Sequence, residues 1–390
     1  MRPHDSPKYD FAEVPFSWLL GHYKTLNRLL ESQPDPTPFQ TIEWLQSWWH
    51  VFGDSYESRI ITVHRDSKLV GLLPLMYKRR QLLRTLEWLG AGRSDHAPLL
   101  LLPDCADEVL QAAIQYFRTH PKGAALLSLR TLQLNELQLS RRSQSQGESW
   151  IQIDDVSPRI NISGSWDEYL EKKSSKHRGN VRRLLRQFES APEFSVKREL
   201  LATNELVAEI ANVERNSWKA TEGSLRMEGA GKLFYEQFLN RFADKGILEL
   251  WCCRFNTILL AYLITFNYEN RIFYYNGAYR ADSSSFHTGV SPGTALIAIA
   301  VKSAHERNLT SFDFLRGDEP YKSLWKNEDR QLHHLVVRAP GLKGVLATSW
   351  IRVRWMLKEY PIIHRIRAWL NALHKSTRRS NHDSTNQKSL

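Results

Sequence analysis

The fold of this chain is decided by residues 271–326, which read RIFYYNGAYRADSSSFHTGVSPGTALIAIAVKSAHERNLTSFDFLRGDEPYKSLWK. Residues 271–279 are rich in aromatic and β-branched side chains, which is typical of a buried strand. Ser291-Pro292 suits a helix start, and residues 295–305 continue in good helix formers. Residues 311–315 form a second short strand. A helix that joins two strands is a crossover, so the sequence predicts parallel neighbouring strands.

Polar side chains gather where this strand–helix–strand unit opens. A helix start presents unpaired N–H groups and a positive dipole end, which suit a phosphate or an oxyanion. The helix-start candidates for binding an anionic cofactor are Ser291, Gly293 and Thr294. The turn after the second strand carries five further candidates: Asp313, Arg316, Glu319, Tyr321 and Lys322. Charged side chains beside a buried strand end are costly without partners or a ligand, although a solvated turn is the alternative.

The same residues resemble a known family. FDFLRGDEPYKSLW (312–325), preceded by SPGTALIAIAVKSAHER (291–307), is similar to the GNAT-superfamily acyltransferases named after the cellulose-biosynthesis protein CelD, which are related to the FemAB peptidyltransferases. Weaker matches follow the family order upstream: PFQTIEWLQSWWHVFG (38–53), SSKHRGNVRRLLRQF (174–188) and NSWKATEG (216–223). The resemblance spans residues 38–337 and implies a GNAT-like fold in two lobes that transfers an acyl group to an amine or hydroxyl.

One departure from the family concerns the donor. The usual pyrophosphate loop, Gln/Arg-x-x-Gly-x-Gly/Ala, is replaced by Gly289-Val-Ser-Pro-Gly293, in which Pro292 has no N–H to donate. Acetyl-CoA or another acyl-CoA is the donor that the resemblance implies. An aminoacyl-tRNA, as in a FemAB-like enzyme, is the alternative that the missing loop favours.

Direct acyl transfer needs a proton acceptor for the nucleophile, a proton donor for the leaving group and groups that stabilise negative charge. We predict Asp313 or Glu319 as the acceptor, Tyr321 as the donor, and Arg316 with Lys322 as charge-neutralising cofactor contacts. The predicted substrate contacts are Asp95, His96, Arg178, Arg182, Trp218, Lys219 and Tyr275. Asp95 and His96, in a polar turn between apolar strands, are acceptor contacts or a base, with capping and turn roles as the alternative. No Ser-His-Asp or Cys-His order stands out in the sequence, so a covalent acyl-enzyme is not favoured.

Composition limits the class of protein. The chain has 390 residues, 42% of them hydrophobic, and 13 Trp, which is enough for two packed domains. A net charge of +11 favours an acidic partner: a phosphorylated cofactor, an anionic membrane surface or, as third choice, nucleic acid. The three cysteines show no disulfide or metal-ligand spacing, so we expect no metal and a reducing cytoplasm. We expect neither a signal peptide nor a transmembrane helix.

The same succession of elements occurs twice along the chain. In the first half a helix over residues 41–51 precedes a hairpin (59–76), a third strand (86–89), a helix (107–118) and a fourth strand (125–134). In the second half, helices over residues 205–218 and 233–242 precede a hairpin (247–267) and the 271–326 unit, with a loop at 219–223 and a final strand at 332–337. This duplication predicts an α/β (α+β) fold of tandem GNAT-like lobes, each a mixed twisted sheet flanked by helices.

Four segments follow from this reading: an N-terminal appendage (1–33), an N-terminal lobe (34–150) that ends in a polar linker (141–147), a C-terminal acyltransferase lobe (151–340) and a basic amphipathic tail (341–390). The second lobe opens with a basic helix that we expect to break near Gly179. In the tail, residues 362–373 place apolar side chains on one helical face between basic ones, which favours a peripheral membrane contact. Packing on the protein's own core is the alternative, and the last residues are expected to be disordered.

The sequence therefore supports three hypotheses. The first is an acyl-CoA-dependent N- or O-acyltransferase that acts on a sugar, amino-sugar or lipid-linked acceptor in surface-polysaccharide or envelope metabolism. The second is a FemAB-like aminoacyltransferase, for which nucleic acid enters only as tRNA. The third is a non-catalytic scaffold of a polysaccharide-synthesis complex.

Overall fold

The structure is a computed structural model that describes residues 9–78, 83–134, 148–282 and 291–359. The first half contains, in chain order, β1 (Asp10–Val14), α1 (Phe16–Gly21), α2 (Tyr23–Glu31), α3 (Ile42–Phe52), β2 (Tyr56–Arg65), β3 (Lys68–Lys78), β4 (Thr85–Trp88), β5 (Leu100–Leu101), α4 (Ala106–Thr119) and β6 (Leu126–Leu132). The second half contains β7 (Ser149–Asn161), α5 (Trp166–Glu171), α6 (Ser175–Glu189), β8 (Phe194–Glu199), α7 (Asn204–Arg215), α8 (Trp218–Glu222), α9 (Ala230–Asp244), β9 (Leu248–Phe255), β10 (Ile258–Tyr268), β11 (Arg271–Tyr279), α10 (Pro292–Glu306), β12 (Ser311–Asp313), α11 (Pro320–Trp325), β13 (Glu328–Arg338) and α12 (Leu342–Glu359).

The strands of the described residues form one mixed sheet. Its order is β1-β2-β3-β4-β6-β13-β7-β12-β11-β10-β9-β8, with β5 paired to β3. Each half contributes an antiparallel hairpin (β2–β3 and β9–β10), a third strand (β4 and β11) and, beyond a crossover helix (α4 and α10), a strand parallel to the third (β6 and β12). The predicted parallel pair and the predicted tandem α/β arrangement are both confirmed.

The two halves exchange their last strands. β7 follows β6 in the chain but pairs with β12, while β13 follows β12 and pairs with β6. β7 and β13 then pair with each other, from Arg159 opposite Glu328 to Ser149 opposite Val337. The predicted boundary at residue 150 falls at the first exchanged strand, so each half completes the sheet of the other. The lobe boundaries themselves stay a prediction.

A shared aromatic core lies between the halves. Trp44 of α3 is fully buried, and its ring packs 5.1, 5.2 and 6.0 Å from the rings of Phe234, Phe238 and Phe242 on α9. The Trp stripe of α3 is therefore core, as its helical spacing indicates. Two further cores lie under α10 with α5 and α6, and under α4. The buried contacts between α3 and α9 therefore pack the two halves against each other.

Two local predictions were wrong. Helix α6 continues through Gly179 because one glycine costs only about 1 kcal/mol, and the buried face formed by Val181, Leu184 and Phe188 outweighs it. Residues 219–223 are not a loop: the chain leaves α7 at Arg215 and forms α8, whose first turn is capped by the Ser217 hydroxyl.

Other segments differ from the prediction by addition. The residues interpreted as an appendage supply β1, which pairs with β2, and the buried side chains of Leu19, Leu26 and Leu30 in the shared core. Strands β7 and β8 and helix α11 were not predicted, and β13 begins four residues earlier than expected. The predicted linker at 141–147 and the apolar stripe at 362–373 lie outside the described residues. Among the helices that the structure describes, none is long and apolar enough to cross a membrane.

Candidate functional site

The turn after β12 is held at its start by Asp313. This carboxylate is buried, and its Oδ1 accepts hydrogen bonds from the Ser157 hydroxyl at 2.8 Å and from the Leu315 N–H at 2.7 Å. Leu315 adopts φ 58, a left-handed conformation that a branched side chain rarely takes. The geometry therefore indicates that Asp313 shapes the turn, whereas the sequence predicted it as a proton acceptor.

Lys322 holds the rest of the same turn. Its ammonium is buried and donates to the carbonyl oxygens of Leu315, Arg316 and Gly317 at 3.2, 2.9 and 3.3 Å. It also pairs with Glu319 at 2.8 Å. Its three protons are committed to these partners, so Lys322 has none left for the phosphate that we predicted it to bind. Glu319, the other predicted base, is half exposed and carries this ion pair.

The turn aims Arg316 at two carboxylates from other parts of the chain. Arg316 Nε lies 3.7 Å from Asp95 Oδ1, on the loop after β4, and 3.9 Å from Asp155 Oδ2, on β7. Asp95 is buried, and burial raises its pKa, which the nearby guanidinium groups of Arg226 and Arg316 oppose. Burial also raises the pKa of Asp155. A carboxylate with a raised pKa is a better proton acceptor than an exposed one, so Asp95 is the strongest base candidate in this cluster.

His96 joins the two halves through a buried relay. Gln133 Nε2 lies 3.2 Å from His96 Nδ1, and His96 Nε2 lies 3.3 Å from the Ser157 hydroxyl, which donates to Asp313. Since the Gln133 amide donates, this network assigns the imidazole proton to Nε2. Burial lowers the pKa of His96 to about 4, so the ring is neutral at physiological pH. His96 therefore positions the turn through Ser157.

Helix α10 begins beyond the carboxyl end of β11, the strand parallel to β12, and β12 ends opposite Phe273, six residues before β11 ends at Tyr279. Ser291 is the N-cap residue, and its hydroxyl lies 3.0 Å from that of Thr294. A Cβ atom on Gly293 would lie 2.8 Å from the Tyr279 ring, so glycine permits the close packing of α10 on the end of β11. The first turn of α10 offers the N–H groups of Gly293 and Thr294.

Lys219 belongs to a buried polar cluster within the second half. Its ammonium bonds to the Asn276 side chain and lies 3.4 Å from Glu214. Glu214 also accepts the N–H groups of Arg226 and Met227 at 3.0 and 2.8 Å. Burial lowers the pKa of Lys219 to about 8. This cluster ties the NSWK segment to the loop that carries Arg226, which faces Asp95.

Three of the predicted site residues are aromatic: Tyr275, Tyr321 and Trp218. Tyr275 is buried and donates to the Arg93 carbonyl at 3.2 Å; burial raises its pKa to about 12. Tyr321 is partly exposed and hydrogen-bonds to Tyr274, and desolvation raises its pKa, so its phenol stays protonated at neutral pH. Trp218 is 42% exposed and stands beside the cluster of Lys219.

The basic helix α6 divides its side chains between two roles. Arg178 donates to the carbonyl oxygens of Glu171 and Lys173 at 3.1 and 3.3 Å, so it closes the end of α5. Arg182 is exposed. The other exposed cations on this surface are Lys176, Arg183 and Arg186. Of the two predicted contacts on this helix, only Arg182 is open to a ligand.

A cavity of about 710 Å³ is lined by the segment before α3, the loop after β4, the start of α4, the end of β6 and residues 328–333 of β13, so both halves contribute to it. Its polar end contains Asp35, His96, Gln133 and Arg330, and its walls include Leu110 and further apolar residues. Arg330 pairs with Asp35 and donates to Gln133 Oε1 at 3.0 Å. Neither this cavity nor the contributions of five further residues were predicted from the sequence: Asp35, Arg330, Ser157, Asp155 and Glu214. Among the described residues there is no group of three His, Cys, Asp or Glu that could hold a metal ion.

Part of the second half matches a known protein family. Residues 175–323, from α6 through part of α11, match the family model described as acetyltransferase (GNAT) domain. The matched segment includes α10 and the turn after β12. No curated protein matches the sequence.

Three solved structures share the architecture of most of the chain. FemX is similar with a TM-score of 0.60 and 12% identity, over 87% of this chain and 99% of that one. A conserved protein of unknown function from Bacteroides thetaiotaomicron gives 0.53 and 10%, over 85% and 100%. L-PGS from Bacillus licheniformis gives 0.50 and 12%, over 83% and 97%. At these identities the similarity shows a shared fold. Membership of the CelD-like group stays a prediction.

Proposed function

We propose that this protein transfers an acyl group from acyl-CoA to an amine or hydroxyl of a sugar, amino-sugar or lipid-linked acceptor in surface-polysaccharide or envelope metabolism. One observation carries the proposal. A buried carboxylate of the first half, Asp95, lies 3.7 Å from Arg316 on the turn of the matched GNAT domain. Its raised pKa and its place between the halves suit a proton acceptor at an inter-lobe reaction site.

The donor would lie at the start of α10. The first-turn N–H groups of Gly293 and Thr294 suit phosphate oxygens, and the partly exposed Arg316 supplies a positive charge beyond the carboxyl end of the parallel strand β12. Pro292 removes one N–H that the usual GNAT loop would donate, which Arg316 compensates with its planar donors. When bound, acyl-CoA supplies an acyl thioester.

The chain's own groups then handle the protons. Asp95 accepts the proton of the acceptor amine or hydroxyl as the oxygen or nitrogen attacks the acyl carbon. Tyr321, protonated at neutral pH, gives its proton to the departing sulfur. Asp313 and Lys322 act as positioning residues, since they fix the turn that carries Arg316. Lys219, through Glu214, and Tyr275 support the loop of Arg226, which faces Asp95, and the exposed Trp218 beside Lys219 is an acceptor contact.

The acceptor has a suitable space in the cavity beside β6 and β13. A volume of about 710 Å³ is within the usual range for small-molecule sites, about 300–1,000 Å³. Its polar end suits hydroxyl or amide groups, because carboxylate, guanidinium, imidazole and amide side chains converge there. His96 borders this cavity and contacts Ser157, which holds Asp313.

A transfer assay tests the proposal. The purified chain is incubated with radiolabelled acetyl-CoA and longer acyl-CoAs against amino sugars, sugars and lipid-linked sugars, and labelled product is measured. We expect transfer by the wild type, loss in Asp95→Asn, and normal transfer in Asp244→Asn, a control at an exposed position on α9. Normal transfer by Asp95→Asn, or no transfer from any acyl-CoA, would contradict the proposal.

A FemAB-like aminoacyltransferase is the second candidate, and the exposed basic face of α6 favours it. Lys176, Arg182, Arg183 and Arg186 form a surface that suits a nucleic-acid backbone. Fluorescence anisotropy with labelled tRNA separates the candidates: this alternative requires binding that weakens in Arg182→Glu with Arg183→Glu. A non-catalytic scaffold, the third alternative, predicts that no donor turns over and that Asp95→Asn changes nothing.

A further inference from the structure

The C-terminal helix α12 packs on the sheet through its small residues. Gly344, Ala347 and Thr348 are buried, and Ala347 contacts the outer side of β6 and β13. A Cβ atom on Gly344 would lie 2.0 Å from the carbonyl oxygen of Ala339, so the helix approaches the strand end at glycine distance. Over residues 342–350, where the side chains of α12 are described, the docked face therefore consists of small residues.

The opposite face carries the large apolar residues, and they are exposed. These are Leu342 (73% exposed), Val345 (42%), Leu346 (53%), Trp350 (65%) and Val353 (47%). At 100° per residue they fall on one side of the helix, facing away from Gly344, Ala347 and Thr348. A surface helix of a globular protein normally buries its apolar stripe and exposes the polar one. Among the described side chains of α12 the arrangement is reversed, which marks this part of the helix as a contact surface.

Positive charge is concentrated in the same part of the chain. Residues 341–390 contain ten Lys or Arg and two Asp or Glu, a net charge of +8 out of the chain's +11. The 340 residues that precede them, which contain the segment matched by the GNAT family model, hold only the remaining +3. General basicity of the protein is therefore a property of its C-terminal segment, where the apolar face also lies.

We propose that α12 binds the surface of a membrane that contains anionic lipids. Its exposed apolar face would enter the boundary between headgroups and acyl chains, where the amphipathic Trp350 ring is well placed. The surrounding Lys and Arg residues would attract lipid phosphate groups, each contributing through the negative surface potential. No described helix crosses a membrane, so α12 lies on the surface. This contact is independent of the acyl-transfer chemistry; if that proposal holds too, the contact brings the enzyme to lipid-linked acceptors.

The charge separates this occupant from a second copy of the chain. Two α12 faces meeting in a dimer would bring two segments of net charge +8 together, which costs energy at low salt. An anionic lipid surface complements the same charge. Self-association is therefore an outcome that the experiment must detect.

Co-sedimentation with vesicles tests the proposal. The full chain is mixed with vesicles of phosphatidylcholine alone or with phosphatidylglycerol added, at low and high salt. The variant Leu346→Glu with Trp350→Glu removes the apolar face, and Leu201→Glu with Leu233→Glu is the matched control, because these two leucines are also exposed (66% and 56%). Circular dichroism and thermal unfolding confirm that both variants are folded.

We expect binding to phosphatidylglycerol vesicles that weakens at high salt and falls at least about tenfold in Leu346→Glu with Trp350→Glu, while the control binds normally. Absence of binding, equal binding to phosphatidylcholine alone, or full binding by the α12 variant would overturn the proposal. So would a wild-type dimer in size-exclusion chromatography that the α12 variant dissociates without any lipid binding.

Discussion

Replacing Lys322 by methionine tests how the turn after β12 is held. The change keeps the apolar stem and removes the ammonium that donates to three carbonyl oxygens at 3.2, 2.9 and 3.3 Å. Hydrogen bonds from a charged donor contribute about 1.5–3 kcal/mol each, whereas the pair with the half-exposed Glu319 adds only about 0–1 kcal/mol. Relief from burying the ammonium offsets part of this loss. We expect Lys322→Met to lower the free energy of unfolding by about 3–5 kcal/mol.

Urea unfolding of the purified variants measures this loss. Lys326→Met is the matched control, because Lys326 lies on the surface and pairs only with the exposed Asp329, so its removal should cost less than about 1 kcal/mol. We also expect Lys322→Met to lower kcat/KM, since Arg316 loses its backbone support. Equal stability of the two variants would refute the conclusion that Lys322 holds the turn.

Three further changes probe the same region. Asp95→Asn should reduce kcat/KM by about 10²–10⁴ and raise Tm at pH 7. Burial raises the pKa of Asp95, so its contribution to the free energy of unfolding is complete below the unfolded pKa of about 3.9. That contribution is lost as the pH rises through the native pKa. An unchanged or lower Tm would contradict this sign. Gly317→Ala, at φ 117 and with its Cβ 2.5 Å from Glu319 Oε2, should destabilise by about 1–3 kcal/mol, whereas Gly179→Ala inside α6 should stabilise by about 0.5–1 kcal/mol in the same urea titration. Lys219 has a pKa lowered by burial to about 8, so the wild type should gain stability between pH 8 and 10, where the native chain has released this proton and the unfolded chain still holds it; Lys219→Met should lack that gain.

Local patterns predicted the elements that repeat. The hairpins around Asp66-Ser67 and Asn256-Thr257, the crossover helix α10 and the parallel β11–β12 pair all follow from turn residues and apolar periodicity within short windows. The exchanged strand β7 did not, because its sequence SWIQIDDVSPRIN carries two adjacent aspartates and Pro158, which argue against a central strand. Its pairing with β13 and β12 supplies the stability that local propensity lacks.

The sequence named several residues that the structure brings together, while their function as a site stays a prediction. Asp95, His96, Arg316 and Lys322 were identified from polar turns at strand ends, and Asp95 and Arg316 do meet. Their roles depend on partners far away in sequence: Ser157 lies 61 residues from His96 and 156 from Asp313. No window of sequence contains such a relay, so Asp313 looked like a free base and Lys322 like a free cation.

Hydrogen–deuterium exchange with and without acetyl-CoA tests the central proposal, a donor site between α10 and the turn after β12, most directly. We predict slower exchange in residues 291–295 and 314–319 when acetyl-CoA is present, because phosphate contacts occupy the N–H groups of the first and steady the second. The start of α4, its counterpart in the first half, should exchange as before. Protection confined to α4, or no protection at any acetyl-CoA concentration that supports transfer, would contradict the proposed donor site.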